Sequence, residues 1–195
     1  MAGMKAILAA IWRRALMGGV LALVLALMPL PAQAQAYMDE AGLERAFALL
    51  KNAPDELNAE IVAQQIWYYW LHPNDPELAA AMIEVLAVRA GGDYRRAITL
   101  CDAVIARWPD YAEGWNQRAT LYYIISDLQS SLADVEEVLA REPRHFGALS
   151  GAVAIYLQLN DRAAALQMAI RGLAVHPFLS DRRYFPELLQ RGVEI

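Results

Sequence analysis

A chain of 195 residues, 57% of them hydrophobic and 20% charged, is long enough to bury one sizeable core. Its formal net charge of −5, with no basic cluster, argues against a nucleic-acid partner, because phosphate binding needs concentrated Lys and Arg. The single cysteine, Cys101, excludes an internal disulfide, so packing must hold the fold; at its position it reads as a small apolar residue buried in a helix.

From Ala15 to Leu30 the chain reads ALMGGVLALVLALMPL, preceded by Lys5, Arg13 and Arg14 and followed by PAQAQA. Basic residues before an apolar run, the helix breakers Pro29 and Pro31, and two Ala-Gln-Ala sites make residues 1–34 a secretory signal peptide, cleaved after Ala34 or Ala36. The alternative is an uncleaved single-span anchor, although a run of about 16 apolar residues falls short of the roughly 20 that span a bilayer comfortably. Cleavage removes three basic residues and no acidic ones, which leaves 14 Lys plus Arg against 22 Asp plus Glu, or −8. That balance disfavours anionic membrane surfaces as well.

Two helices are predicted next, at about 39–51 (DEAGLERAFALLK) and 55–71 (DELNAEIVAQQIWYYWL), with Pro54 and Asp55 opening the second. Trp67, Tyr68, Tyr69 and Trp70 run around that helix instead of down one face. A helix aromatic on several sides is expected between two layers, here its own pair and the helices that follow.

Beyond residue 77 the chain repeats. Pro109, Pro143 and Pro177 are 34 residues apart, and so are Asp93, Asp127 and Asp161; Ala97, Ser131 and Ala165; and Val88, Tyr122 and Tyr156. Each aspartate stands just ahead of a helical run, where it is expected to cap free backbone N–H groups. Three such caps about one helix-packing distance apart do not form a metal site. His72, His145 and His176 fall in turns beside prolines. No phosphate loop, nucleophile motif or ligand spacing appears, so neither a catalytic site nor a cofactor is expected.

A 34-residue unit of helix, turn, helix and proline resembles the tetratricopeptide repeat. The resemblance is carried by GDYRRAI (92–98), AEGWNQRATLYY (112–123) and the three prolines. Trp115, Ala119, Tyr122 and Ser131 match the family's large, small, aromatic and close-crossing positions; Ala81, Leu149, Cys101, Ala169 and Gly172 depart from it. The resemblance implies an all-α, right-handed solenoid of antiparallel helix pairs with three units, 78–111, 112–145 and 146–179. Residues 35–77 would form an N-terminal pair, a degenerate further unit in the register that puts Ala63 and Trp67 one period before Ala97 and Cys101. Residues 180–195 would form a capping segment, broken by Pro186, that covers the last unit.

Trp115, Ala119 and Tyr122 lie at i, i+4 and i+7, one helix face, and are expected in the core. Tyr123 falls one step around, toward the side that lines the concave groove in this family. The same helical phase puts Met82, Leu86, Arg89, Glu113, Asn116, Gln117, Thr120, Ser150, Gly151, Ala154 and Gln158 on that groove. The clamp with which one subfamily grips a C-terminal carboxylate is not expected, because Met82, Gly147 and Gly151 stand at its basic positions.

With the IWYYW and PRHFGAL segments behind a signal peptide, the chain looks like a family of small exported repeat proteins of Gram-negative bacteria. That likeness implies a non-catalytic adaptor in the periplasm, binding a peptide or protein segment of the cell envelope. Two alternatives accompany it: a groove filled by the protein's own terminal helices, and a structural subunit anchored in the inner membrane by a retained N-terminal segment.

Overall fold

The computed structural model describes residues 39–185. The expected signal segment with its expected cleavage sites at Ala34 and Ala36, and the part of the expected capping segment from Pro186 onward, lie outside them. The described residues form α1 (Glu40–Lys51), α2 (Glu56–Leu71), α3 (Pro76–Ala90), α4 (Tyr94–Arg107), α5 (Ala112–Ile124), α6 (Leu128–Arg141), α7 (Phe146–Gln158), α8 (Arg162–Val175) and a 3-10 turn, Ser180–Tyr184. Among them no helix is long and apolar enough to cross a membrane.

Local chemistry fixes the helix ends. Asp93, Asp127 and Asp161 each accept the backbone N–H three residues on, from Arg96, Ser130 and Ala164 at 3.1, 3.1 and 2.9 Å. Those bonds satisfy donors that a first helical turn leaves free. At the other end Trp108, Glu142 and His176, each just before a repeat proline, have left helical geometry with ψ of 67, 90 and 92°, because proline's ring crowds a helical residue ahead of it. Within each pair the chain turns through a positive φ, at Gly92 (82°), Ser126 (65°) and Asn160 (58°), again 34 residues apart.

The pairs stack in order: α3 packs on α4, α4 on α5, α5 on α6, α6 on α7 and α7 on α8. Leu78, Met82, Val85, Ala97, Cys101 and Val104 form the first layer of core. The closest crossing in the second pair is made by Ala119 and Ser131, where Ser131 Oγ donates to the Ala119 carbonyl at 2.8 Å. Ala97 and Ala165, one period either side of Ser131, are fully buried.

Trp115 departs from expectation. It is half-buried, packed against the core of Ala119, Val135 and Val138 from its edge and not enclosed by it: its Nε1 donates to the Pro109 carbonyl at 2.9 Å, and the guanidiniums of Arg118 and Arg141 lie 5.0 and 4.7 Å from its ring centre. The register places a large ring at this seam correctly, but long arginine stems cover it where apolar side chains were expected.

The larger correction concerns α1 and α2. They pack on each other, but α2 does not stack on α3 as α4 does on α5. Instead the pair folds against the last unit, and α1 touches α8. Leu43, Phe47, Leu50, Ile66 and Trp70 share a core with Phe146, Leu173 and Leu179. The layer against the tryptophans of α2 is therefore the start of α7, not the first unit. Gly147 provides the room, since any Cβ there would run into the Trp67 ring. Arg144 fastens the seam from the outside by donating to both Glu44 oxygens at 2.9 and 2.7 Å, which holds that carboxyl below its usual range.

Candidate functional site

The first helices of the units, α3, α5 and α7, line the face expected to be concave, and α2 covers it at the N-terminal ends of α5 and α7, where Trp70 meets Tyr111 and His145. Beneath α2 lies a buried polar network. His145 caps α7 with its ring: Nδ1 accepts the Ala148 N–H at 3.1 Å, so Nε2 carries the hydrogen and donates to Glu113 Oε2 at 3.0 Å. Asn116 Nδ2 donates to both Glu113 oxygens at 3.1 and 3.2 Å, and Gln117 Nε2 donates to Oε1. Arg89 Nη1 completes the chain by donating to Gln117 Oε1 at 2.6 Å. Glu113 and His145 are 1% and 0% exposed, and a carboxylate so buried is tolerable only with donors around it. The Trp70 carbonyl takes the Tyr111 hydroxyl, tying α2 to the start of α5; burial pushes that phenol's pKa up.

Farther along the same face α2 no longer covers the groove. Here Asn116, Thr120 and Tyr123 of α5 face Gly151 and Ala154 of α7 across a cleft of about 130 Å³, with Ala119 and Ser131 below. A Cβ on Gly151 would meet nothing within 4 Å. Gln158 bridges the far end through a 3.3 Å bond to the Tyr123 hydroxyl. A second, more open cleft lies beside it, lined by Leu86, Arg89, Ala90, Tyr94 and Ile124.

The structure thus divides the groove residues predicted from helical phase. Asn116, Thr120, Tyr123, Gly151 and Ala154 come together in one cleft, with Leu86 and Arg89 in the next. Met82 does not belong: it is 1% exposed in the α3–α4 core, packed with Leu78, Val85, Ala97 and Cys101. Glu113 and Gln117 are consumed by the network under α2. Ser150 points the other way, donating to Asp181 of the 3-10 turn, and lines a separate cleft of about 280 Å³ between α2 and that turn. Ile124 and Tyr94 were not foreseen. Ile124 follows Tyr123 and is 40% exposed, a large apolar residue at a solvent position, and that was the available signal.

No protein-family model matches the chain. A solved structure described as MamA MSR-1 C2 is 14% identical, is matched over 77% of this chain and 86% of its own length, and has a TM-score of 0.46, a fit too loose to support an inference. A TPR repeat-containing protein of Rhizobium etli is 38% identical over 140 residues, which are 69% of this chain and 66% of the relative, so the chain spans just under two thirds of that protein. That identity joins three stacked helix pairs with caps, turns and prolines at a 34-residue period. The chain belongs to the tetratricopeptide-repeat proteins.

Proposed function

We propose that the protein is a non-catalytic interaction module of the bacterial cell envelope, exported by residues 1–34, and that it holds a peptide or protein segment in the open half of its concave face. The observation that carries this reading is the cleft between Tyr123 and Gly151. It offers the hydroxyls of Thr120 and Tyr123, which can pair with a peptide backbone. Opposite them, the glycine and alanine of α7 leave space for the segment itself. With α2 laid over the rest of the groove, the open part accommodates a short segment.

Photo-crosslinking from position 123 in living cells tests the binding mode. A discrete envelope protein captured there, and lost when Gly151→Trp fills the cleft, is the expected result. Crosslinks confined to residues 39–72 of the same chain would move the contact surface to the convex side. Export has its own test: N-terminal sequencing should find Gln35 or Tyr37 first, whereas an intact Met1 or Met4 would support the anchored form.

A further inference from the structure

Helix α2 is apolar on two opposite sides. Ala59, Ala63, Ile66 and Trp70 are buried against α1 and the last unit. On the other side Leu57, Ile61 and Tyr68 are 71%, 59% and 59% exposed, with exposed Gln64 between the last two. The positions 57, 61, 64 and 68 step by four, three and four, the spacing of a seam that packs against one partner helix.

The other second helices do not share this outer seam. One and two periods on from Ile61 and Tyr68 stand Arg95 and Asp102 in α4, and Gln129 and Glu136 in α6, all exposed and polar as a solvated face requires. In α8 the places are taken by Ala163 and Ile170, so one large apolar residue is exposed there where α2 shows three. The neighbouring charge is sparse too. Along the seam Glu60 is the one charged flank, between Asn58, Gln65 and Trp67.

We propose that this seam pairs with the same seam of a second copy of the chain, the two α2 helices antiparallel about a two-fold axis. In that arrangement Leu57 meets Tyr68 of the other copy and Ile61 meets Gln64, so every large apolar residue is covered and no like charges are opposed. Glu60 falls beside the other copy's Trp67, and the two Glu60 side chains stay apart. With its flanks the seam exposes on the order of 500 Å² per copy, and two copies together reach about 1,000 Å², where a specific interface begins. The small size makes the dimer weak and leaves both open clefts free.

Sedimentation equilibrium of the full chain, purified as the cell processes it, is the test. At tens of micromolar the protein should sediment with twice the mass of one chain, and Ile61→Glu should halve that mass with an unchanged far-UV spectrum. Should that variant fold poorly, oxidative crosslinking replaces it. Ile61→Cys mixed with a tagged Gln64→Cys should give a disulfide-linked heterodimer, while Ile83→Cys, at an equally exposed site on α3, mixed with the same partner should give none. A monomer at these concentrations, or a dimer that neither Ile61→Glu nor the crosslinking pair detects, overturns the proposal. Association of a monomer with lipid vesicles or with another protein through Ile61 overturns it as well.

Discussion

The indole of Trp70 lies parallel to the imidazole of His145, 3.9 Å between ring centres and 8° between planes. That stack brings the N-terminal pair down onto the start of α7, where the same imidazole caps the helix and holds Glu113. One side chain therefore joins three elements that are far apart in the sequence.

Replacing it should be costly. His145→Ala leaves the Glu113 carboxylate short of a donor, uncaps α7 and opens a void beneath Trp70. The expected loss is about 2–4 kcal/mol, from a buried acceptor left short of a donor, a lost cap and the void together. Urea unfolding measures it. A second variant, Glu113→Gln, keeps the volume but turns an amide NH2 toward His145 Nε2 or Gln117 Nε2, a donor that the carboxyl group accepted, and should destabilise by about 1–3 kcal/mol; a negligible loss would mean that the network contributes no more than filled volume.

Trp115→Ala is expected to cost about 1–3 kcal/mol, less than the roughly 3–5 of a fully buried ring. The indole is half-buried under arginine stems, and its removal gives up cation–π contact and one hydrogen bond more than core volume. A thermal or urea series decides, and a loss above 4 kcal/mol would return this ring to the core.

Two glycines on one helix should respond with opposite signs. At Gly147 a methyl group meets the packed Trp67 ring, so Gly147→Ala should destabilise by about 1–3 kcal/mol. At Gly151 the methyl meets open space, and Gly151→Ala should stabilise by up to about 1 kcal/mol through helix propensity alone. A shared sign in melting experiments would contradict the position of α2 over α7.

Burial pushes the Cys101 thiol from an ordinary value of 9.0 up to about 12. The native protein should therefore resist an aromatic disulfide reagent at pH 8 and react fully only when unfolded. The linked stability has a definite sign. Between about pH 9 and 12 the unfolded chain has released this proton and the folded chain keeps it, so stability is intact below that window and falls through it as pH rises. Rapid labelling of the native thiol would place Cys101 at the surface.

Much of this architecture was legible because it is local. Asp93 caps Arg96, Ser131 meets Ala119 and Pro109 stops α4 within a single repeat, and a 34-residue period displays such features directly. The seat of α2 was not legible, since it is decided by Trp70 against His145 and Trp67 over Gly147, contacts that no register encodes. Gly147 occupies the place of Glu113 one period on and was visible as a missing side chain; what filled the space was not. For the candidate site, helical phase put Thr120, Tyr123, Gly151 and Ala154 on the face that carries the cleft. It misplaced Met82 because phase does not distinguish a groove-facing side chain from one bent toward the partner helix. Glu113 was on the right face but under a lid that only the tertiary structure reveals.

The contact between α1 and α8 changes how such an array should unfold. An open solenoid behaves as a row of nearest neighbours, free to fray from either end one repeat at a time. Here the two ends are fastened to each other, so loosening the first pair also strips the last unit of Phe47, Leu50 and Trp70, and neither terminus is a cheap place to begin. Melting should then proceed in one concerted step, with the slowest-exchanging amides shared between the first and last helices. Trimming residues 39–71 would remove the protein's capacity to fold as a unit, where in an open row it would merely shorten it.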